Sequence, residues 1–506
     1  MTSSEGPDGA PAPDAPLPPP LVLADGHLHP GILFLRFLDG IRSSILPLVL
    51  GLVTGQAWLL GIAGAGFVFA MVYWFLRFIT FRYTLTEDEL VTRQGLVFRQ
   101  ERRIPVDRIQ DLNFESSLLR RMTGLVVVSV ETASSQGAEA KLDSLGQYAA
   151  EQLREALHTV RARHGHRVPV GEEGPQETIL FRCSATELTL LGFTNNRVGA
   201  IFVGVFALWE FSNELGFGDR VVGAGSDLVD RVFSLDTPLL LVVVAAVLFL
   251  FLLGGWLLSI AASFVKFHDF TLSVREGVLQ RRFGLITRHA QTLPRRKIQR
   301  VLLEQTFLRR LLHLVVVRAD SAGSGMDAKE EQRSGRDIIA PVTQSRIGEG
   351  LVPWLLENLR VDGLEFQRVS AKVVGRVFAE GALGAVVLTA LLWFAIGPIA
   401  FVALVLVPVA WLFGFLAYRN LGYRELDDHV ALRWGILGRY RSFVPLHKVQ
   451  AAQLQAGPLD RVFGLASLVV YVAGGSPTRL NYLPRDEAER LEYEIAARAA
   501  KRRFVW

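Results

Sequence analysis

The densest chemistry in the chain is cationic. Between Lys266 and Arg310 stand eleven Lys or Arg against three Asp or Glu, a net of +8, centred on QRRFGLITRHAQTLPRRKIQR. The candidate lipid- or partner-binding residues are Arg281, Arg282, Arg288, Arg295, Arg296, Lys297 and Arg300. Two related stretches are close to balance: Arg82 to Arg121 has eight bases against seven acids, and Arg424 to Arg461 six against four. Excess charge of one sign therefore belongs to the middle of the chain.

Catalytic chemistry finds little support. His27 and His29 flank one leucine, and His164 and His166 one glycine, without a helical i, i+4 register or a third ligand. The run GFGDRVVGAG (216–225) lacks the Lys-Ser/Thr ending of a phosphate-binding loop. Cys183, the single cysteine, excludes an intramolecular disulfide and a multi-cysteine metal site. With no partner motif around it, it reads as packing. No nucleophile, base and orienting group fall into a set, so neither an enzyme nor a cofactor is expected.

The elements that must position the basic run are membranous. Half of the 506 residues are apolar and the mean hydropathy is +0.31, too high for an ordinary soluble protein. The opening residues, MTSSEGPDGAPAPDAPLPPP and onward, are rich in Pro, Ala, Gly and Asp and read as disordered. They lack the positive start of a signal peptide. Apolar segments then fall in three pairs, near 43–58 and 60–78, 198–214 and 238–263, and 377–396 and 398–417. Most approach the roughly 20 residues that span a bilayer. The third segment is short, because Arg197 and Glu210 bracket it. Glu210 is the candidate intramembrane polar residue, read first as interfacial and second as an acid on a transport path. The connections inside the outer pairs carry no Lys or Arg, and that inside the middle pair only Arg220 and Arg231. By the positive-inside rule both termini and all large polar regions are cytoplasmic.

A repeat follows each pair. Anchored on Gly95, Gly284 and Gly435, the copies align without a gap. Arginine stands two before the glycine (Arg93, Arg282, Arg433) and four after it (Arg99, Arg288, Arg439). Proline stands ten after (Pro105, Pro294, Pro445), a base thirteen after (Arg108, Lys297, Lys448), and glutamine fifteen after (Gln110, Gln299, Gln450). Arginine recurs twenty-six after (Arg121, Arg310, Arg461), and leucine thirty after (Leu125, Leu314, Leu465). The glycine reads as a turn between strands, and SSLLRRMTG as a short helical turn capped by Ser116 or Ser117 and ended by Gly124. LVVVSVET (125–132), LVVVRAD (314–320) and LVVYVAG (468–474) read as buried strands, and each copy closes on a helical pattern, the middle one interrupted by Pro353. Short strands followed by one helix suggest a small barrel or sandwich plugged by that helix.

The hairpin followed by FRYTLT (81–86), Gly95-Leu96, RRIP (102–105), Ile109-Gln110 and LLRRMTGL (118–125) resembles the bacterial pleckstrin-homology-like (PH-like) membrane proteins of the YdbS/YdbT-like group, in its longer three-copy branch. The resemblance implies six transmembrane helices as three hairpins, plus three small cytoplasmic PH-like barrels of seven strands, each capped by a C-terminal helix. The middle copy departs from it with His313 in place of Gly124 and Gly464. The expected divisions are a disordered tail (1–32), hairpin one (33–80), PH-like domain one (81–165), a linker (166–197) and hairpin two (198–265). PH-like domain two (266–362), a linker (363–376), hairpin three (377–418) and PH-like domain three (419–506) follow. A non-enzymatic binding or scaffolding role at the cytoplasmic face of the bacterial inner membrane is expected. The resemblance loosely adds envelope defence against membrane-active peptides, and a smaller single-domain PH-like membrane relative as partner. Anionic lipid is the first reading of the basic copy, each Lys or Arg near such a surface being worth about 1 kcal/mol. Pairing with acids such as those of DAKEEQ (327–332) or a topological signal is the second, and a protein partner the third. Nucleic acid is disfavoured, for want of a recognition helix or a stacking platform. The competing reading is a six-helix transporter or transporter subunit with PH-like domains as regulatory modules.

Overall fold

The computed structural model describes residues 21–95, 99–132, 138–163, 177–195, 234, 236–275, 278–321, 337–357, 359, 361, 363–473 and 477–500. Each copy of the repeat contributes a four-stranded sheet, a three-stranded sheet and a helix. In copy one these are β1 (Val22–His27), β2 (Arg82–Thr86), β3 (Glu89–Gln94) and β4 (Gln100–Pro105), then β5 (Ile109–Ser117), β6 (Leu125–Thr132) and β7 (Ala138–Gly146). Copy two has β8 (Thr178–Arg182), β9 (Thr271–Arg275), β10 (Val278–Phe283) and β11 (Thr287–Pro294), then β12 (Ile298–Gln305), β13 (Leu314–Ser321) and β14 (Ile338–Gln344). Copy three has β15 (Gln367–Arg368), β16 (Gly422–Glu425), β17 (His429–Trp434) and β18 (Arg439–Pro445), then β19 (Val449–Gln455), β20 (Leu465–Val472) and β21 (Thr478–Pro484).

The first strand of every copy precedes its hairpin in the chain, so the hairpin is an insertion between the first two strands of the domain. Helices α1 (Gly31–Thr54) and α2 (Ala57–Thr80) separate β1 from β2. Helices α5 (Ala185–Thr194) and α6 (Thr237–Phe267) separate β8 from β9. This corrects the expected divisions. Val22–His27 is not disordered tail but a strand paired with β2, Leu28 being buried beside it. Thr178–Arg182 is not linker but a strand paired with β9. A segment cut at 266–362 would lack β8.

One short helix per copy, α3 (Leu118–Met122), α7 (Phe307–Leu311) or α11 (Pro458–Val462), connects the first two strands of the three-stranded sheet. Ser117 caps α3, accepting from Arg120 N at 3.5 Å. The closing helices are α4 (Gln147–Arg163), α8 (Ser345–Leu355) and α12 (Arg485–Ala500). They bury Leu153 and Leu157, Leu351 and Leu355, and Leu491 and Ile495 against the valine-rich strands. Pro353 sits in the last turn of α8, the shortest of the three at 11 residues.

The domain glycines behave as the spacing requires. Gly95, Gly284 and Gly435 have φ of +96°, +108° and +107°, a region closed to side chains. A Cβ on Gly435 would stand 2.6 Å from Gly438 O. Gly435→Ala is expected to cost about 1–3 kcal/mol, read as an earlier unfolding transition in detergent. His313 takes φ +55° where Gly124 and Gly464 take +67° and +64°, so copy two keeps the turn at the cost of strain.

Among the described residues three stretches are long and apolar enough to cross a membrane: Ala57–Thr80, Thr237–Phe267 and Lys372–Asn420. The last, of 49 residues, holds α9 (Lys372–Ile396), a 3-10 segment and α10 (Leu406–Asn420). Here α9 and α10 run antiparallel, a Cβ on Gly414 reaching within 3.0 Å of the Val374 backbone. The count of six spans is thus not reproduced. Helix α1 carries Arg36, Asp39 and Arg42 in its first half, and residues 198–214 lie outside the described residues.

Sheets do not stop at copy boundaries. Strand β11 of copy two pairs with β5 of copy one, and β18 of copy three with β12 of copy two, making two seven-stranded sheets. Both joints use one register. Five residues after Gly284, His289 faces Glu115, twenty after Gly95; five after Gly435, Tyr440 faces Glu304, twenty after Gly284.

Candidate anion-binding surface

One end of every copy abuts its hairpin. Gly95 N donates to Thr80 Oγ1 at 3.4 Å and Gly284 N to His268 O at 2.9 Å, while Asn420 Nδ2 donates to Ile436 O at 2.7 Å. The glycine turns thus sit on the ends of α2, α6 and α10. The short helices lie at the same end. Arg309 Nε in α7 donates to Thr194 Oγ1 at the end of α5, 3.2 Å away, and Arg376 Nε in α9 donates to Asp460 Oδ1 in α11 at 2.8 Å. Arg120 and Arg36 converge on Asp143.

This floor exposes large apolar side chains where the apolar helices begin. Leu119, Leu285, Leu311 and Leu437 are exposed, and Met122 and Val462 reach 78 % and 79 %. Facing water, each forgoes roughly 25 cal/mol per Å2 of apolar surface. At the level of lipid headgroups and upper acyl chains the same surface is favourable.

The recurring arginine columns meet on this floor. Arg282 and Arg433 precede the turns, Arg288 and Arg439 follow them, and Arg121 and Arg310 reach across the joints from the short helices. Arg121 Nη2 donates to Leu285 O at 2.9 Å, and Arg310 Nη1 to Leu437 O at 3.4 Å. The joint between copies two and three is the most crowded. Arg433 Nε donates to Asn420 O at 2.9 Å and its guanidinium lies over the Phe366 ring. Burial pushes its pKa down, and the positive charges of Arg439, Arg368, Arg441 and Arg310 push it further. Burial, then Arg310 and Arg441, do the same to Arg439, opposed by Glu349. Glu349 is engaged by Arg441 at 2.5 Å. A cluster whose charges crowd one another in this way favours an incoming anion.

The seven residues taken from the basic run do not form one surface. Arg281 is buried, donating to Ile338 O at 2.9 Å and to Gln291 Oε1 at 3.3 Å. Arg300 is buried in the seam between copies two and three, paired with Asp320 and donating to Thr478 Oγ1 at 2.6 Å. Lys297 is buried, and half-buried Arg295 donates to Pro353 O at 3.3 Å. Arg296 is exposed but, like Arg295 and Lys297, sits beyond Pro294 at the far end of β11, roughly 23 Å from the turn at 3.3 Å per residue. Its carbonyl accepts from Lys448 Nζ at 2.8 Å. Only Arg282 and Arg288 are exposed at the floor, Arg282 lying 3.8 Å from Glu177. The lipid-contact expectation is therefore corrected for Arg281, Arg295, Lys297 and Arg300, whose side chains serve the interior and the seam. Missed were Arg310, Arg368, Arg433 and Arg439. Three of these belong to the arginine columns that recur in every copy, the signal that could have found them.

The remaining candidates stay apart. His29 Nδ1 accepts from Gly31 N at 3.1 Å at the start of α1. His164, His166, Glu210 and GFGDRVVGAG lie outside the described residues. Among the described residues no three His, Cys, Asp or Glu side chains come together as a metal site. Cys183 is buried and its thiol pushed up to about 12, by burial and then by Glu187. Maleimide at pH 7.5 is expected to label it only after unfolding, read by intact mass.

The repeated geometry has a counterpart in known proteins. A model described as bacterial PH domain matches residues 37–161, 228–341 and 378–499, more than half of the chain. The chain belongs to the bacterial PH domain family. It is also similar to the UPF0699 transmembrane protein YdbT of Bacillus subtilis (strain 168), 26 % identical over 449 residues that cover 84 % of this chain and 88 % of that one. No solved structure matches. One match falls on each of the three copies, so this bacterial PH domain protein is a membrane protein carrying its domain in triplicate.

Proposed function

We propose that the chain is a non-enzymatic membrane anchor that lays three bacterial PH domains on the cytoplasmic face of the bacterial membrane and holds anionic headgroups against their floor. The observation that supports this most is the meeting of exposed apolar side chains and recurring arginines at the hairpin ends, with Leu437, Arg310, Arg433 and Arg439 at the densest point. Three hairpins with both termini cytoplasmic, from the Lys and Arg asymmetry, put that floor at the inner leaflet. Binding there organises a scaffold at the membrane. Envelope defence and a smaller single-domain PH-like membrane partner belong to this proposal as its physiological setting.

The test uses the full chain in nanodiscs of mixed phosphatidylcholine and phosphatidylglycerol. Arg368→Gln with Arg439→Gln is expected to weaken enrichment of phosphatidylglycerol around the protein by roughly thirtyfold, two contributions of about 1 kcal/mol each. Arg296→Gln, at the far end, is expected to leave it unchanged. Unchanged enrichment in the double variant, or an equal loss in Arg296→Gln, contradicts the reading.

A further inference from the structure

The rule that joins the copies inside the chain leaves two strands unsatisfied, one at each end of the array. At both internal joints the fourth strand of one copy pairs with the fifth strand of the copy before it. Among the described residues the outer edge of β4 in copy one and that of β19 in copy three pair with no strand. These are the two halves of the same joint. Their exposure follows. Gln100, Glu101, Arg102 and Arg103 of β4 are all exposed, whereas at the matching positions of copies two and three Gln291, Ser442 and Phe443 are buried. On β19 Gln453 is exposed, whereas its counterpart in copy one, Asn113, is buried.

We propose that these edges bind each other between molecules: β19 of one chain pairs antiparallel with β4 of a second copy, in the register of the internal joints. That register sets Gln455 opposite Gln100, as Glu115 faces His289 and Glu304 faces Tyr440. It sets Leu454 at the position of Phe114 and Leu303, so the same apolar column is kept. The floor supplies a second, independent reason. Each internal joint assembles three recurring arginines, Arg121 with Arg282 and Arg288, and Arg310 with Arg433 and Arg439. The third set is split between the ends of the array. Arg93 and Arg99 lie in copy one, and exposed Arg461 lies in α11. Among the described residues the Arg461 side chain makes no hydrogen bond or ion pair, whereas Arg121 and Arg310 reach the next copy. The contact is head-to-tail, so it extends an array or closes a ring. It keeps all hairpins at one face, and confinement to a membrane raises the concentration of one edge at the other. Glu101, Arg102 and Arg103 make β4 a poor mate for an apolar strand, while β19, VQAAQLQ, offers amides and no charge.

The experiment uses full chains with Cys183→Ala, one bearing Gln455→Cys and the other Gln100→Cys, reconstituted together in liposomes and oxidised. A disulfide-linked pair of the two chains is expected, at least tenfold more abundant than with Glu101→Cys in place of Gln100→Cys, because a one-residue slip turns the side chain to the other face. Mass photometry of the unsubstituted chain is expected to show species larger than one chain. Equal yields for both cysteine pairs, or a monomer at every concentration, overturns the proposal; a monomer would leave β4 and β19 to a separate protein.

Discussion

Arg300→Met is expected to destabilise the β-domains by roughly 3–5 kcal/mol, the cost of breaking a buried ion pair from one side. Arg300 links Asp320 of its own copy to Thr478 of copy three. Its loss leaves the carboxylate buried without that partner. Burial already pushes the Asp320 pKa up, against the pull of Arg300. A carboxyl raised in the folded state binds more protons than in the unfolded state, so stability falls as pH rises from the ordinary carboxylate range through the folded value. Without Arg300 that value rises further, so the damage is greatest near neutral pH and eases on mild acidification. Arg300→Met with Asp320→Leu is expected to recover most of the loss. Denaturant unfolding of the detergent-solubilised protein checks all three. A silent Arg300→Met would mean the guanidinium faces solvent and lipid after all.

The second large effect is in labelling. With Cys183→Ala as background, Ser226→Cys is expected to react with an impermeant maleimide in intact spheroplasts, and Asp427→Cys only after lysis. Ser226 lies in the connection inside the middle apolar pair, which carries only Arg220 and Arg231, and Asp427 is exposed at the far end of copy three. Ser144 is unsuitable as a probe of that side, because it is fully buried with φ +62°. The reverse pattern would invert the molecule and place the arginine floor against the outer leaflet.

Much of the domain was legible because its signals are local. The triplication rests on columns without gaps, and glycine, proline and the valine runs fall where the turns and strands form. The first strands were hidden for physical reasons. β15 is two residues long, β1 follows a proline-rich tail, and each is parted from its partner by a whole hairpin. Sequence periodicity says which face a strand buries, not which copy supplies its neighbour, so the joints could not be read from it. Net charge misled in a similar way. The +8 of the basic run sums residues at opposite ends of β11 and inside the core. Arg281 and Arg300 are peculiar to copy two and serve its interior and its seam with copy three, whereas the arginines present in every copy line the floor.

The floor of the PH domains is expected to touch lipid. Photocrosslinking tests it most directly, with a benzophenone side chain placed at Leu437 on the floor or at Asp427 at the far end, in native membranes. Strands of this length separate the two positions by roughly 20 Å. Irradiation is expected to give a phospholipid adduct at Leu437, detected by mass spectrometry of the tryptic peptide, and none at Asp427. Lipid adducts at both positions or at neither would contradict the account.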